Sequence, residues 1–354
     1  MRERVRRLAR KLCLSFASLA VVLGGAELVC RAVGYAPQAD TFRWMAHPDL
    51  QAVPMPSQDT WLGRDDPATG QVRLPIRINR YSQRGPDYPL QKERGELRIV
   101  VVGDSLTMGQ GMRDEECYPA VLGELLAAQQ PERGRVRVVN AGVNGWATWH
   151  YMRWAQTQLE RFRPDVLVVG LYLGNDMVVP RNAPLAIPVP LENALRGSAL
   201  YRFLVETYRA YLWKRVEAAR RDLSVEELAA ELERYKGLAE SELSDEDQRV
   251  LWERHALPHL AALRDACRKL EVDVAVLLIP SYPMVITDGP PPVYLFLRQR
   301  LGELGLATIE CLEPVRAAGA VAWLSYDVGH LSVLGNALVA QALRDGLVRL
   351  GLLR

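Results

Sequence analysis

Several things are scarce in this sequence of 354 residues, and each scarcity removes a class of protein. Five cysteines, an odd number with no CxxC pair and no metal-ligand spacing, leave no disulfide framework and no structural zinc site to expect. Cys13 and Cys30 lie in or beside the first apolar stretch, whereas Cys117, Cys267 and Cys311 are isolated, which reads as buried free thiols. Charge of one sign is also lacking. With 44 basic and 42 acidic residues the formal net charge is +2, so no global excess points to nucleic acid or an acidic polymer. No internal repeat or low-complexity tract is visible. Only five histidines are present, which narrows the search for a catalytic base.

Near the N-terminus one long hydrophobic run stands out. Arg2, Arg4, Arg6, Arg7, Arg10 and Lys11 precede the uncharged stretch Leu12 to Ala26, the pattern of a secretory signal or a signal anchor. The stretch is about 15 residues, short of the roughly 20 that span a bilayer. With Glu27 at the far interface, Leu28, Val29 and Cys30 extend it to a plausible span. No small-x-small cleavage site follows, and Cys30 lacks the small preceding residue of a lipoprotein signal. An uncleaved anchor over residues 1–34 is the favoured reading, against a cleaved signal or a buried helix. The basic flank then places everything after Gly34 outside the cytoplasm, periplasmic or extracellular.

Residues 35–96 are rich in Pro, Gly, Trp and Asp and read as an irregular connecting region with a short strand near Val72 to Asn79. From Leu97 the pattern changes. Leu97–Val102, Val136–Val139, Asp165–Tyr172 and Val272–Ile279 are β-branched, near-continuously apolar runs, which suit strands covered on both faces. A weaker fifth run lies at Thr308-Ile309. Helical spacing marks Tyr118–Gln129, Tyr151–Phe162 and a last helix from about Val333 to Leu350. Alternating strand and helix predicts a three-layer, doubly wound and mostly parallel α/β sheet over 97–354. The charged stretch 191–269 interrupts the alternation and reads as a helical insertion, either a solvated decoration or a lid.

Chemistry-bearing residues fall at the strand ends. Gly103-Asp104-Ser105-Leu106 follows the first strand, at the carboxyl edge where open α/β sheets bind ligands. A serine there opens a helix, but it needs a neighbouring base to act as a nucleophile; alone it is an ordinary helix cap. Asp327-Val328-Gly329-His330 sets a carboxylate three residues before an imidazole, so one ring nitrogen can be oriented and the other left to take a proton. His47, His150, His255 and His259 have no carboxylate so placed. Asn140-Ala141-Gly142 and Gly174-Asn175-Asp176 follow the second and third strands. They offer a backbone N–H at Gly142 and a side-chain N–H at Asn175 for a developing oxyanion, although each taken singly is also ordinary turn chemistry.

Together these four segments resemble the blocks of the GDSL or SGNH hydrolases. The third departs from the family's Gly-x-Asn-Asp, because Leu173 stands where the glycine falls and Gly174 takes the variable place. The likeness runs from about Leu97 to the C-terminus, less 191–269, and leaves 35–96 unexplained. It implies a flavodoxin-like sheet order with no metal or organic cofactor. By position, Ser105 is then the nucleophile, His330 the base and Asp327 its orienter. Ser105 N–H, Gly142 N–H and the Asn175 side chain form the oxyanion hole, and Asp104 and Asp176 are structural. The implied activity is a carboxylic ester hydrolase acting on an O-acyl glycan or lipid ester at a membrane. Its rivals are an O-acyltransferase using the same acyl-enzyme and a non-catalytic glycan-binding module.

Overall fold

The computed structural model describes residues 2–35, 42–66, 70–129, 136–177, 188–205, 207–208, 244–324 and 327–353. The chain divides into a smaller unit, Met1–Thr41 with Pro184–Asp222, and a larger one, Phe42–Ala183 with Leu223–Arg354.

Expected to be irregular, the start of the larger unit instead holds two antiparallel hairpins. The first pairs β1 (Trp44–His47) with β2 (Gln51–Pro54), and the second pairs β3 (Gln58–Asp66) with β4 (Gly70–Ile78). Their period is legible in β4: Leu74, Ile76 and Ile78 are buried while Arg73, Pro75 and Arg77 face outward, the two-residue alternation of a half-covered strand.

Next come the strands of the central sheet: β5 (Leu97–Gly103), β6 (Val136–Gly142), β7 (Val166–Tyr172), β8 (Asp273–Ile279) and β9 (Ala307–Glu310). All neighbours are parallel, in the order β6-β5-β7-β8-β9. Counted along the chain that is 2-1-3-4-5, the flavodoxin-like order with its switch point between β5 and β7. Successive side chains of one strand enter opposite layers. Val100 and Val102 pack with Tyr151, Leu159 and Phe162, whereas Ile99 and Val101 pack with Leu122, Val339 and Leu343. Burial on both faces is why these strands read as unbroken apolar runs rather than as alternating ones.

The expected helices Tyr118–Gln129 and Val333–Arg349 cover one face, and Thr148–Phe162 lies on the other, beginning three residues before its expected start. The insertion drawn at 191–269 is too long. The helix Leu257–Lys269 belongs to the layer itself, with Leu260, Leu263 and Cys267 fully buried beside Thr148–Phe162. Parallel neighbours such as β7 and β8 need a crossover connection, usually helical; the exposed charges of this helix masked that role. The part of the insertion at 209–243 lies outside the described residues.

At the amino end of β5 a charged cluster is sealed in the core. Arg98 and Glu96 are an ion pair at 2.7 Å with both side chains at 0 % exposure. Arg98 also donates to the carbonyls of Leu90, Phe162 and Pro89, and Glu96 receives Arg137.

In the smaller unit, Arg2–Cys30 is one continuous helix, and Arg10–Gly34 is long and apolar enough to cross a membrane, with a mean hydropathy of 2.0. Glu27 is not left bare. Its carboxylate accepts hydrogen bonds from Ser198 Oγ at 2.7 Å, Ala199 N at 3.0 Å and Leu200 N at 2.9 Å, capping a second helical stretch.

Candidate active site

Ser105 sits where β5 ends. Asp104, fully buried, accepts the N–H of Leu106 at 2.9 Å and so caps the short helix Ser105–Met108 that Ser105 opens. The turn is crowded. A Cβ on Gly103 would lie 1.9 Å from Thr107 Oγ1, and one on Gly142 would lie 2.4 Å from the Met108 backbone nitrogen. Glycine at both positions lets β5, β6 and the short helix close together. Thr107 is pinned from the other layer by Tyr118, whose hydroxyl lies 2.7 Å from Thr107 Oγ1.

His330 arrives from the opposite end of the chain. β10 (Trp323–Leu324) and β11 (Asp327–Leu331) form a small hairpin, after which Ser332 caps the last helix by accepting Gly335 N–H. Asn336 fastens that helix by accepting the N–H of Tyr118 at 3.0 Å. Within β11, Asp327 Oδ2 lies 2.5 Å from His330 Nδ1, and His330 Nε2 lies 2.9 Å from Ser105 Oγ. Three residues separated by up to 225 positions thus form one line of hydrogen bonds. The carboxylate fixes the tautomer: Nδ1 carries the proton and donates to Asp327, leaving the Nε2 lone pair for the serine hydroxyl. The His330 hydrogen bond, the imidazole's charge and the N–H of Gly329 hold the Asp327 pKa below its usual value, against a smaller opposing effect of burial.

Two of the three expected oxyanion donors are open. Ser105 N–H has no partner among the described residues. The Asn175 amide, on the loop after β7, makes no hydrogen bond there either, and its Oδ1 is buried without a partner. Gly142 differs from expectation. Its N–H is already given to Asn140 Oδ1 at 3.0 Å, while Asn140 Nδ2 donates to Thr107 O at 2.8 Å. Asn140 therefore knits strand to turn, and the uncommitted donors of that loop are the backbone N–H groups of Asn144 and Gly145, inside the turn closed by Trp146 N to Val143 O. Asp176, fully buried, accepts the hydroxyl of Tyr151 and the N–H of Tyr172. Like Asp104, it builds a turn.

Sequence reading missed Arg84. Its side chain is 1 % exposed and donates to the carbonyls of Met108, Gly109 and Met112 at 2.6–2.7 Å, and to Asp114 Oδ1 at 2.8 Å. The Met108 and Gly109 carbonyls at the end of the serine's helix, and that of Met112 in the turn beyond it, are thus gathered by one guanidinium. An arginine in a Pro- and Gly-rich stretch gives no local sign of this. Among the remaining histidines, His47 accepts the N–H groups of Asp49 and Leu50, His150 accepts that of Ala147, and His259 meets Thr148. No three His, Cys, Asp or Glu side chains gather closely enough to hold a metal among the described residues.

The profile of the GDSL-like lipase/acylhydrolase family matches residues 101–338, which takes in every block at the sheet edge. The chain belongs to that family, a class of carboxylic ester hydrolases. Solved structures similar to it include TesA (17% identity, covering 72% of this chain and 99% of that one, TM-score 0.42). Two further ones are the psychrotrophic esterase EstA from Pseudoalteromonas sp. (13%, 72% and 97%, TM-score 0.40) and a catalytic mutant of Axe2, an acetylxylan esterase from Geobacillus stearothermophilus (16%, 71% and 94%, TM-score 0.41). No curated protein matches the chain.

Proposed function

We propose that Ser105 is the nucleophile of a membrane-anchored esterase that acts on O-acyl groups of envelope glycans or lipids. The observation that carries this reading is the line Asp327–His330–Ser105, with separations of 2.5 and 2.9 Å. His330 Nε2 takes the proton as Ser105 Oγ adds to the ester carbonyl, then returns it to the departing alcohol. Water, activated by the same nitrogen, hydrolyses the acyl-enzyme and releases the acid. Asp327 holds the ring and balances the imidazolium. The oxyanion is held by Ser105 N–H, the Asn175 side chain and a donor of the β6 loop. Gly142 N–H serves there only when Asn140 Oδ1 releases it.

The basic start and the apolar helix Arg10–Gly34 support a single anchor, with the catalytic domain outside the cytoplasm. A site held at an envelope favours esters that a soluble enzyme meets less often, hence the glycan or lipid assignment. Full-length protein in detergent, assayed beside Ser105→Ala on nitrophenyl esters of increasing acyl length, tests the chemistry. Activity that disappears with Ser105 is the expected result. Activity retained in Ser105→Ala, or a labelled acyl group that passes to a sugar hydroxyl in preference to water, would overturn the nucleophile or the hydrolase assignment respectively.

A further inference from the structure

A pocket of about 180 Å³ lies away from Ser105, among the first hairpin, residues 80–83 and the helix Thr148–Phe162. A cavity of about 150 Å³ already takes benzene, so this one fits a single ring or a short branched chain. Its walls are apolar: Met45, Leu50, Val53, Trp146, Trp154 and Phe162.

Its polar lining is one-sided. Every charged residue in it is basic, with Arg80, Arg161 and His47 present and no carboxylate among them. Arg80 is already paired with Asp87. Arg161 is not paired; its guanidinium lies over the rings of Tyr81 and Phe162, at 5.5 and 5.2 Å, with no acidic partner among the described residues. His47 accepts two backbone N–H groups at Nδ1, both at 3.2 Å, which leaves its proton on Nε2 as a donor. Burial holds that imidazole toward its neutral form; the carboxylate of Asp49 opposes this, and the charge of Arg161 adds a smaller push in the same direction as burial. Gln83 is 3 % exposed, gives Oε1 to the Tyr88 hydroxyl at 2.6 Å and leaves Nε2 buried without a partner. A buried donor without a partner is unfavourable until something supplies an acceptor. A cation, an imidazole and an orphaned amide therefore line an aromatic floor, and Asp49, the carboxylate that acts on His47, is itself paired with Arg153.

We propose that this pocket binds a small organic carboxylate whose apolar body is about one ring in size. The body lies on Trp146, Trp154 and Phe162, and the carboxylate is met by Arg161, with His47 and Gln83 as further donors. Ala141 and Val143 also line the pocket, on either side of Gly142 at the end of β6. The occupant thus reaches the reverse side of the loop that supplies the site's backbone donors, without touching Ser105, Asp327 or His330. The assignment stands whether or not Ser105 is the nucleophile.

The test is calorimetric titration of phenylacetate into full-length Ser105→Ala protein in detergent, with phenylacetamide and acetate in parallel and a protein-free detergent blank. Saturable binding of phenylacetate is expected. Affinity should be at least about tenfold lower for the neutral amide and for phenylacetate with Arg161→Met, since a charge-assisted hydrogen bond is lost in each. Acetate, which lacks the body, should bind more weakly still. Because Arg161 is exposed, the variant should fold as the parent does, and its circular dichroism and melting temperature check this. Heat no greater than the blank, equal affinity for acid and amide, or undiminished affinity in Arg161→Met would each overturn the assignment. The last of these would show that any bound acid does not meet Arg161.

Discussion

The two ends of β5 use polar groups in opposite ways. At the amino end, Arg98 and Glu96 are wholly buried and bonded to one another, to three carbonyls and to Arg137. Of this cluster only Arg137 Nη2 is buried without a hydrogen bond among the described residues. A sealed pair of this kind gains little over apolar packing, yet it is costly to break, because one charge is stranded. At the carboxyl end, six residues away, Ser105 N–H and the Asn175 amide have no partners among the described residues, and a line of hydrogen bonds runs from Asp327 to Ser105. Buried polar groups in folded proteins are nearly always satisfied. The open donors at the carboxyl end are the ones that the proposed mechanism gives to the oxyanion. One strand thus carries a stability device and a chemistry device, separable by substitution.

The largest effect should come from Ser105→Ala. It should lower kcat/KM by about 10⁴-fold or more while leaving the melting temperature unchanged, which would set the carboxyl end apart as chemistry alone. Asp327→Asn should follow at about 10³–10⁴-fold, by misdirecting the His330 proton. The pKa of Asp327 is lowered in the folded protein. Its charge is therefore in place everywhere above the usual carboxylate value near 3.9 and is lost only as pH falls through the lower folded value. Asp327 should accordingly stay an anion from about pH 5 to pH 8, so its carboxylate band in wild-type minus Asp327→Asn infrared difference spectra should be constant across that window. A band that falls there would mean that Asp327 does not orient the ring as an anion.

At the other end, Arg98→Met should destabilise by about 3–5 kcal/mol, less whatever Arg137 recovers from Glu96. It should leave kcat of the folded fraction intact, as measured by denaturant titration beside active-site counting. A fall in kcat without loss of stability would erase the contrast between the ends. The smallest effect should be that of Asn175→Ala, at about 10²–10³-fold in kcat with little change in KM. A change in KM alone would reassign that amide to ground-state binding.

How much of this was legible depends on where each signal is stored. The five strands and both long helices over the Tyr118 face were readable because burial on two sides leaves unbroken β-branched runs, and because helical spacing survives at the surface. The grouping of Ser105, Asp327 and His330 was readable because Ser105 follows a strand end in a short tetrapeptide and Asp327 stands three residues before an imidazole. The helix Leu257–Lys269 was misassigned because its charges dominate its composition, although Leu257, Leu260, Leu263 and Cys267 already carried the buried stripe. Gly142 was a sound choice by spacing, yet the side chain of Asn140 takes its N–H, and a hydrogen bond between residues two apart leaves no trace in composition. Arg84 was invisible for a related reason. It contacts carbonyls, and every residue has one.

That last property reaches beyond catalysis to how the protein can be divided. The family match begins at residue 101 and the central sheet at Leu97, so a minimal fragment cut at the sheet would look complete on both counts. It would lack Arg84, and the Met108, Gly109 and Met112 carbonyls would lose their common anchor just behind the serine. The usable boundary for a soluble enzyme therefore lies ahead of the hairpins, near Phe42, some sixty residues before the recognised domain begins.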